Sequence, residues 1–175
     1  MSVIVSKAKE QVNLCIKQAL DAALKEGLLE AASEPADFSV SVPQNREHGD
    51  YAANAAMVWS KAFRMPPRKI AEILSEKFDF DGTYIEKSEI AGPGFINFFL
   101  SDKYYADILA DVDEKGKDYG KSDYGAGKRV LVEFVSANPT GPMHIGNARG
   151  GALGDCLASV LEAAGYYTER EFYIN

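Results

Sequence analysis

The stretch that decides the fold reads VLVEFV at residues 130–135 and SANPTGPMHIG at 136–146. Its first part is mostly apolar, which is typical of a strand that is buried on both faces. The second part is a loop rich in proline and glycine, and apolar spacing predicts a helix over 147–164. Residues 167–174 return to a strand pattern. Strand, helix and strand in this order predict a βαβ unit with parallel strands and a right-handed crossover.

The loop and the start of this helix are rich in glycine. Five of the 15 glycines lie between residues 141 and 154, and glycine lets a phosphate or a base approach the backbone closely. A helix start offers unpaired N–H groups to an anion, and His144, Asn147 and Arg149 lie at or just after this one. The common fingerprints GxxxxGK[ST] and GxGxxG are both absent from the sequence. Glycine content alone leaves two interpretations open, a nucleotide-phosphate site and a tightly packed turn.

The chain that precedes this unit mixes helix and strand patterns. Apolar spacing and turn residues predict helices over 6–26, 51–63, from Pro66 onward and 102–114, and strands over 38–42, 84–90 and 95–100. Asp50 is expected to cap the second of these helices. The AGPG sequence at 91–94 predicts a turn that joins the last two strands as a hairpin. The pattern predicts an α+β domain over residues 1–115, with a small antiparallel sheet and helices.

Two helices carry apolar stripes that are predicted to face a core. The stripes comprise Tyr105, Ile108, Leu109 and Val112 on the 102–114 helix, and Leu153, Leu157, Val160, Leu161 and Ala164 on the later helix. Cys156 lies on the apolar side of the later helix. It is expected to be a small core residue and not a nucleophile or a metal ligand.

A change of composition separates the two parts of the chain. Residues 116–128 read GKDYGKSDYGAGK, with four glycines and no apolar periodicity, and predict a linker. Residues 129–175 then begin a second domain. A single βαβ unit leaves its sheet edges open and one face uncovered. We therefore expect the second part to be the opening of a larger domain.

Composition sets limits on the function. The chain has 175 residues, 46% hydrophobic and 26% charged, which is typical of a folded globular protein. A net charge of −7 argues against binding to nucleic acid or an anionic membrane through the overall charge of the protein. An RNA partner therefore needs a local basic patch. Two distant cysteines and the lack of a long apolar run predict a cytoplasmic protein without disulfides. The scattered cysteines and histidines predict no metal cluster.

Residues 132–147, VEFVSANPTGPMHIGN, resemble the first signature motif of class I aminoacyl-tRNA synthetases, in the version of the arginyl enzymes. That version is close to V-E-F-S-S-A-N-P-T-G-P-L-H-V-G-H. The flanking GDCLA at 154–158 is similar to the family too, as are HGDYAAN at 48–54 and AGPGFIN at 91–97. The resemblance covers essentially the whole chain in the family's order.

The resemblance implies both a fold and an activity. It implies the family's additional N-terminal domain, followed by the first βαβ unit of a class I Rossmann-like catalytic domain. The implied activity is arginine–tRNA ligase, in which ATP, accompanied by Mg²⁺, activates arginine for transfer to tRNA(Arg). ATP is a substrate here, and no tightly bound cofactor or resident metal is implied. The implied partners are tRNA(Arg), L-arginine and ATP, with no membrane, and the full-length enzyme is expected to be a monomer.

The resemblance also implies roles for residues of the signature region. The whole region of this HIGH-type motif comprises Ala137, Asn138, Pro139, Thr140, Gly141, Pro142, Met143, His144, Ile145, Gly146 and Asn147. Within it, His144 and Asn147 are implied to be catalytic, and ATP is implied to contact Pro142, His144, Gly146 and Asn147. Asn147 stands where the family usually has histidine, and an amide donates a hydrogen bond but carries no charge.

Arginine binding is assigned by the same resemblance. It implies contacts from Glu133, Ser136 and Asn138 to the substrate arginine. A carboxylate suits a guanidinium because the two form directional, charge-assisted hydrogen bonds.

A tRNA-contacting surface is expected on the first domain. Its predicted residues are Asn45, Arg46, Lys61, Arg64, Arg68 and Lys69. Four of them are positive charges within nine residues, which indicates either a solvated face or a patch for the tRNA elbow. His48 has the same two interpretations, a solvated turn residue or a tRNA contact.

The family's second signature, a lysine-rich K-M-S-K-like loop, does not occur in these residues. We therefore expect an N-terminal fragment that is inactive alone, since loss of one transition-state stabiliser costs about 100-fold or more in rate. The alternative is a stand-alone, non-catalytic module that binds tRNA through residues 1–115.

Overall fold

The structure is a computed structural model, and it describes residues 3–138 and 140–174. The chain divides into two compact units, with the boundary between Glu114 and Lys115. The domain bounds at residues 115 and 128 that the sequence predicts stay predictions.

The first unit combines helices with one antiparallel sheet. Its helices are α1 (Val3–Lys25), α2 (Ala55–Phe63), α3 (Pro67–Ser75) and α4 (Asp102–Lys115), and its strands are β1 (Val40–Ser41), β2 (Tyr51–Ala53), β3 (Ile85–Ala91) and β4 (Phe95–Leu100). The four strands are antiparallel in the order β1-β2-β4-β3. A short 3-10 helix, Arg46–His48, precedes β2. The predicted α+β class and the hairpin at 91–94 are confirmed.

The core of the first unit lies between the sheet and its helices. Strand β4 turns Ile96, Phe98 and Leu100 inward at two-residue spacing, because successive side chains of a strand point to opposite faces. The helices contribute buried residues at helical spacing, among them Val12, Ile16, Ala19, Ile70 and Leu74. Phe95, Asn97 and Phe99 therefore share the opposite face of the sheet.

The start of the second predicted helix is wrong. Residues Tyr51–Ala53 form strand β2, which pairs with β4, and α2 begins only at Ala55. Asp50 caps no helix, because its carboxylate accepts hydrogen bonds from the backbone N–H of Leu100 and the hydroxyl of Tyr105. The alanine-rich stretch favours a helix locally, but strand pairing with a distant part of the chain overrides that preference.

The second unit is a strand, a helix and a strand. Strand β5 (Arg129–Glu133) and strand β6 (Tyr167–Glu171) pair in parallel, and α5 (Ile145–Ala163) connects them. The register places Arg129 beside Tyr167 and Glu133 beside Glu171. A 3-10 turn, Gly116–Asp118, lies at the beginning of the unit.

Both predicted apolar stripes need correction. On α4 the buried residue is Tyr104, whereas Tyr105 and Leu109 are exposed. On α5 Leu153, Leu157 and Val160 are all exposed and Cys156 is exposed as well, while Gly154 and Ala158 are buried. Helix α5 meets its strands through small residues, and this contact leaves the larger apolar side chains of its other faces uncovered within the described unit.

The segment predicted as a linker makes regular hydrogen bonds in the second unit. The backbone N–H groups of Ser122, Gly125 and Gly127 donate to the carbonyls of Ala163, Ala164 and Gly165, respectively. This half of the segment therefore packs along the end of α5. Within the part of the chain that the structure describes, no helix is both long and apolar enough to cross a membrane.

Candidate functional site

A cleft lies where both parallel strands end and α5 begins. Its volume is about 440 Å³. It is lined by Ala137, Asn138, Thr140, Gly141, Pro142, Met143, His144, Asn147, Phe172, Tyr173 and Ile174. We name it the helix-start cleft. The carboxyl ends of parallel strands are the usual place for ligands in α/β structures.

Two side chains cap the first turn of α5 reciprocally. His144 is the N-cap, and its Nδ1 accepts a hydrogen bond from the N–H of Gly146 at 3.1 Å. The side-chain oxygen of Asn147 accepts from the backbone N–H of His144, also at 3.1 Å. Together they form a capping box, which satisfies backbone donors that a helix start otherwise leaves unpaired. Asn147 therefore orders the helix start, whatever else it contacts.

The loop leaves β5 through a strained residue. Val135 has φ of 63°, in the left-handed region, where a β-branched side chain costs about 1–3 kcal/mol. Directly after it, the hydroxyl of Ser136 accepts a hydrogen bond from the backbone N–H of Tyr173 at 3.0 Å. The turn at Val135 thus ends β5, and Ser136 ties the loop to the chain that follows β6.

Four glycines of the loop and of α5 divide into two kinds. A Cβ at Gly154 would lie 2.3 Å from Cγ of Phe134, and one at Gly151 would lie 3.0 Å from Cγ2 of Val135. These two glycines allow the helix to approach the end of the strand. Gly141 and Gly150 have open space where a Cβ would lie. Tight packing explains one group of glycines, and the open ones leave room for a ligand.

The signature residues are only partly brought together. Asn138, Pro142, His144 and Asn147 line the helix-start cleft. Gly146 and Ile145 do not line it, and Ile145 is 86% exposed. Pro139 lies outside the described residues. The residues expected to contact ATP therefore lie around one cleft, apart from Gly146.

The residues expected to bind arginine are more dispersed. Asn138 lines the cleft, whereas Glu133 and Ser136 do not. Glu133 is exposed at the end of β5, with Glu171 as its register partner on β6. Ser136 uses its hydroxyl on Tyr173. This end of the sheet therefore carries a glutamate on each of two neighbouring strands.

A second cleft lies on the outer face of the first unit's sheet. Its volume is about 620 Å³. It is lined by Ser41, Val42, Pro43, Gln44, His48, Ala52, Ala91, Gly92, Phe95 and Asn97. We name it the sheet-face cleft. Phe95 is 39% exposed here, whereas Asn97 is only 5% exposed.

Asn97 is the residue that sequence reasoning missed. Asn97 is nearly buried as a residue, but it lines the cleft, where its amide can meet a ligand or water. The register places Ala52 and Glu89 on either side of it. The signal in the sequence is one polar residue inside FINFFL, an otherwise apolar strand. A polar side chain that lines a largely apolar cleft supplies hydrogen-bonding groups that can orient a ligand.

One residue of the predicted basic cluster contacts the edge of this cleft. Lys61, Arg64, Arg68 and Lys69 are all exposed. Arg68 pairs with Glu72 at 3.3 Å and donates to the carbonyl of Gly92, which lines the sheet-face cleft. Positive charge therefore reaches the rim of the cleft through Arg68.

The remaining predicted RNA contacts lie in the 3-10 turn. The side chain of Asn45 accepts from the N–H of Glu47 at 3.0 Å, so it caps the Arg46–His48 turn. Arg46 lines a neighbouring cleft with Phe99, and His48 lines the sheet-face cleft itself. The turn thus presents Arg46 and His48 at the face of the sheet that carries Asn97.

Comparison with known proteins covers both units. Residues 10–100 match a family model described as the arginyl tRNA synthetase N terminal domain. Residues 109–175 match the model of the class I (R) tRNA synthetase catalytic domain. The arginine–tRNA ligase of Caldanaerobacter subterraneus is 55% identical over 175 residues, and that of Acetivibrio thermocellus is 48% identical over 175 residues. Each alignment covers 100% of this chain and 31% of the relative, so the chain spans about a third of these proteins.

Among solved structures, the fold is similar to a crystal structure of arginyl-tRNA synthetase from Plasmodium falciparum. The TM-score is 0.61 at 22% sequence identity. The match covers 93% of this chain and 29% of that one. It supports the fold, independently of the matches in sequence.

Proposed function

The chain belongs to the arginyl-tRNA synthetase family, and on that premise we propose that it forms the N-terminal part of an arginine–tRNA ligase. In this reaction a carboxylate oxygen of arginine attacks the α-phosphorus of ATP, and pyrophosphate leaves. The arginyl group of the adenylate then passes to the terminal adenosine of tRNA(Arg). Such chemistry depends on positioning and on charge stabilisation.

The observation that carries the catalytic half of the proposal is the helix-start cleft. Its wall combines the first turn of α5, which is the positive end of a helix dipole, with the side chains of His144 and Asn147. This arrangement suits the phosphates of ATP, which enters as a substrate with its Mg²⁺. The parallel pairing of β5 and β6 around α5 supports a Rossmann-like sheet that begins here.

Arginine is proposed to bind next to the phosphates. Asn138 lines the same cleft, and Glu133 lies five residues before it at the end of β5. Glu133 and Glu171 bring two carboxylates to neighbouring strands. A guanidinium forms charge-assisted, directional hydrogen bonds with carboxylates.

The first unit is proposed to bind tRNA through the sheet-face cleft. An unpaired base fits this cleft, since Asn97 offers an amide to its hydrogen-bonding edge and Phe95 offers a ring for stacking. Arg68 at the rim, with Lys61, Arg64 and Lys69 nearby in sequence, supplies charge for the phosphates. This interpretation explains how a protein of net charge −7 binds RNA locally.

The tRNA half is tested by replacing Asn97 with valine, which suits a strand and has no amide. We expect the dissociation constant for tRNA(Arg), measured by fluorescence anisotropy, to rise by about 5- to 100-fold. The free energy of unfolding should change little, because valine is similar in size to asparagine and suits a strand. The variant Asn13→Ala, in α1 and away from the cleft, is the control. Unchanged tRNA affinity in Asn97→Val would contradict the proposal.

The catalytic half is tested by adding Mg·ATP to the isotope-labelled chain. We expect amide signals of residues 141–147 to shift, and His144→Ala to abolish the shift while His48→Ala leaves it intact. No shift at millimolar ATP would contradict an ATP site in this unit.

A second candidate is a tRNA-binding module without catalysis. The observation that favours it is that the sheet-face cleft and the basic cluster both lie in the first unit. Arginine-dependent ATP–pyrophosphate exchange with added tRNA(Arg) is expected to show no turnover by these 175 residues alone. Clear turnover would refute both the module and the inactivity of the isolated chain.

A further inference from the structure

We propose that Asn147 is a positioning residue, whose side-chain oxygen holds His144 in the form that carries its imidazole proton on Nε2. The inference rests on the proposed function in one respect, namely that the helix-start cleft receives a phosphate. It assigns Asn147 a role through His144 rather than a direct role in the reaction.

The proton on His144 is placed by one hydrogen bond. Nδ1 accepts from the N–H of Gly146 at 3.1 Å, and a ring nitrogen that accepts a hydrogen bond carries no proton. A neutral imidazole has a single N–H, which must then be on Nε2. Nε2 makes no hydrogen bond with the described residues, and His144 is an exposed residue that lines the cleft.

Asn147 holds the backbone that makes this bond possible. Its Oδ1 accepts from the N–H of His144 at 3.1 Å, and its own N–H donates to the carbonyl of His144 at 2.9 Å. The backbone of His144 is thereby kept extended, with φ of −110° and ψ of 174°. In that conformation the imidazole folds back over Gly146, where an added Cβ would lie 2.9 Å from its Cε1.

The choice of tautomer matters for a phosphate. Phosphate oxygens without protons only accept hydrogen bonds, so a neutral imidazole binds them through an N–H and not through a lone pair. With the proton on Nε2, His144 has an N–H that is free to donate to a phosphate. With the proton on Nδ1, it would present a lone pair and lose the bond to Gly146 as well.

Asparagine suits position 147 as a hydrogen-bond acceptor for the backbone, although it carries no charge. An amide oxygen accepts a hydrogen bond at every pH, whereas an imidazole accepts only when neutral and in one tautomer. The hydrogen bond also fixes the orientation of the Asn147 amide, because its oxygen must face the backbone donor. Its NH₂ group then faces away from the His144 N–H.

The test is nitrogen NMR of the imidazole rings in the whole 175-residue chain at pH 8.5, without ATP. The sequence has two histidines, and the variant His48→Gln assigns the signals. We expect Nδ1 of His144 to resonate as an unprotonated nitrogen and Nε2 as a protonated one. A coupling across the hydrogen bond between Gly146 N and Nδ1 is also expected. A protonated Nδ1 in the unaltered chain would overturn the proposal, and this measurement needs no variant.

Two variants test the positioning role of Asn147. Asn147→Ala removes the acceptor and should shift the tautomer ratio of His144 towards Nδ1–H by about fivefold, the factor expected from loss of one cap bond. Asn147→Asp keeps an acceptor and should retain the ratio of the unaltered chain. An unchanged ratio in Asn147→Ala would overturn the role of Asn147. If the tautomer is as expected but Mg·ATP shifts no signal, the proposed ATP site fails and the positioning role stands.

Discussion

The hydroxyl of Tyr105 lies 2.7 Å from Oδ1 of Asp50 and donates a hydrogen bond to it. The other carboxylate oxygen accepts from the backbone N–H of Leu100 at 2.8 Å. One side chain at the start of β2 therefore joins the end of β4 to helix α4. This link lies beside the face of the sheet that carries the sheet-face cleft.

Asp50→Ala should destabilise the first unit. It removes two hydrogen bonds and leaves the N–H of Leu100, a residue only 6% exposed, without its carboxylate. We expect the free energy of unfolding to fall by about 1.5–3 kcal/mol. Urea titration followed by fluorescence of Trp59, the single tryptophan of the sequence, measures it. Tyr105→Phe, which removes one bond, should cost about 1 kcal/mol. Equal effects of the two substitutions would contradict the role of Leu100.

The hydrogen bond between Tyr105 and Asp50 predicts that the first unit loses stability at alkaline pH. The hydrogen bond to Asp50, followed by partial burial, raises the pKa of Tyr105 to about 12. The unfolded chain releases this proton near pH 10, so the contribution is complete below about pH 10 and is lost as the pH rises towards 12. In the unaltered chain, the urea concentration at the midpoint of unfolding should fall between pH 9 and 11.5. This fall should be smaller in Tyr105→Phe. Burial also raises the pKa of Tyr51 and Tyr84, so part of the fall should remain. An identical pH profile in Tyr105→Phe would refute this.

Two glycines of α5 should respond oppositely to alanine. Gly150 has open space at its Cβ position, so Gly150→Ala should stabilise the helix by about 0.5–1 kcal/mol. At Gly154 the new methyl group would lie 2.3 Å from Phe134, and the overpacking should cost about 1–3 kcal/mol. Amide hydrogen exchange in β5, α5 and β6 reports the stability of this unit. Stabilisation by both substitutions would show that α5 does not approach the strand so closely.

The two cysteines should differ in reactivity. Cys15 is buried in α1, and burial raises the pKa of its thiol to about 11, whereas Cys156 is exposed on α5. The thiolate is the reactive form. Iodoacetamide at pH 8 should therefore label Cys156 in the native chain and Cys15 only after unfolding. Mass spectrometry after digestion distinguishes the two sites, with Cys15→Ala and Cys156→Ala as references. Rapid native labelling of Cys15 would contradict its burial.

The basic cluster should account for part of the salt dependence of tRNA binding. Replacing Lys61, Arg64, Arg68 and Lys69 with serine should weaken binding and flatten the plot of log affinity against log salt. The magnitude of this slope should fall by about 0.7 to 0.9 for each phosphate contact that is removed. The matched control replaces four exposed lysines elsewhere, Lys9, Lys17, Lys25 and Lys117. A slope equal to that of the control would identify the cluster as a solvated face.

Much of the second unit was predictable because its information is local. Strand β5, the loop and α5 follow each other in sequence, and the residues around the helix-start cleft lie mostly between Ala137 and Asn147. The capping box was not predicted, although His144 and Asn147 have the spacing of one. The sequence does not reveal that Phe134 packs on Gly154. It therefore could not distinguish the glycines that close packing requires from those that have open space.

The sequence by itself determined the family, the mixed helix and strand content of the first unit, its hairpin and the parallel unit that follows. Each of these depends on patterns within about 20 residues or on a contiguous motif. Only the tertiary structure decided that Tyr51–Ala53 is a strand, because its partners at Ile96–Phe98 lie more than 40 residues away. It also decided the burial of Asn97 and the two bonds of Asp50. Such features depend on which distant backbone and side chains come together, and no local periodicity records that.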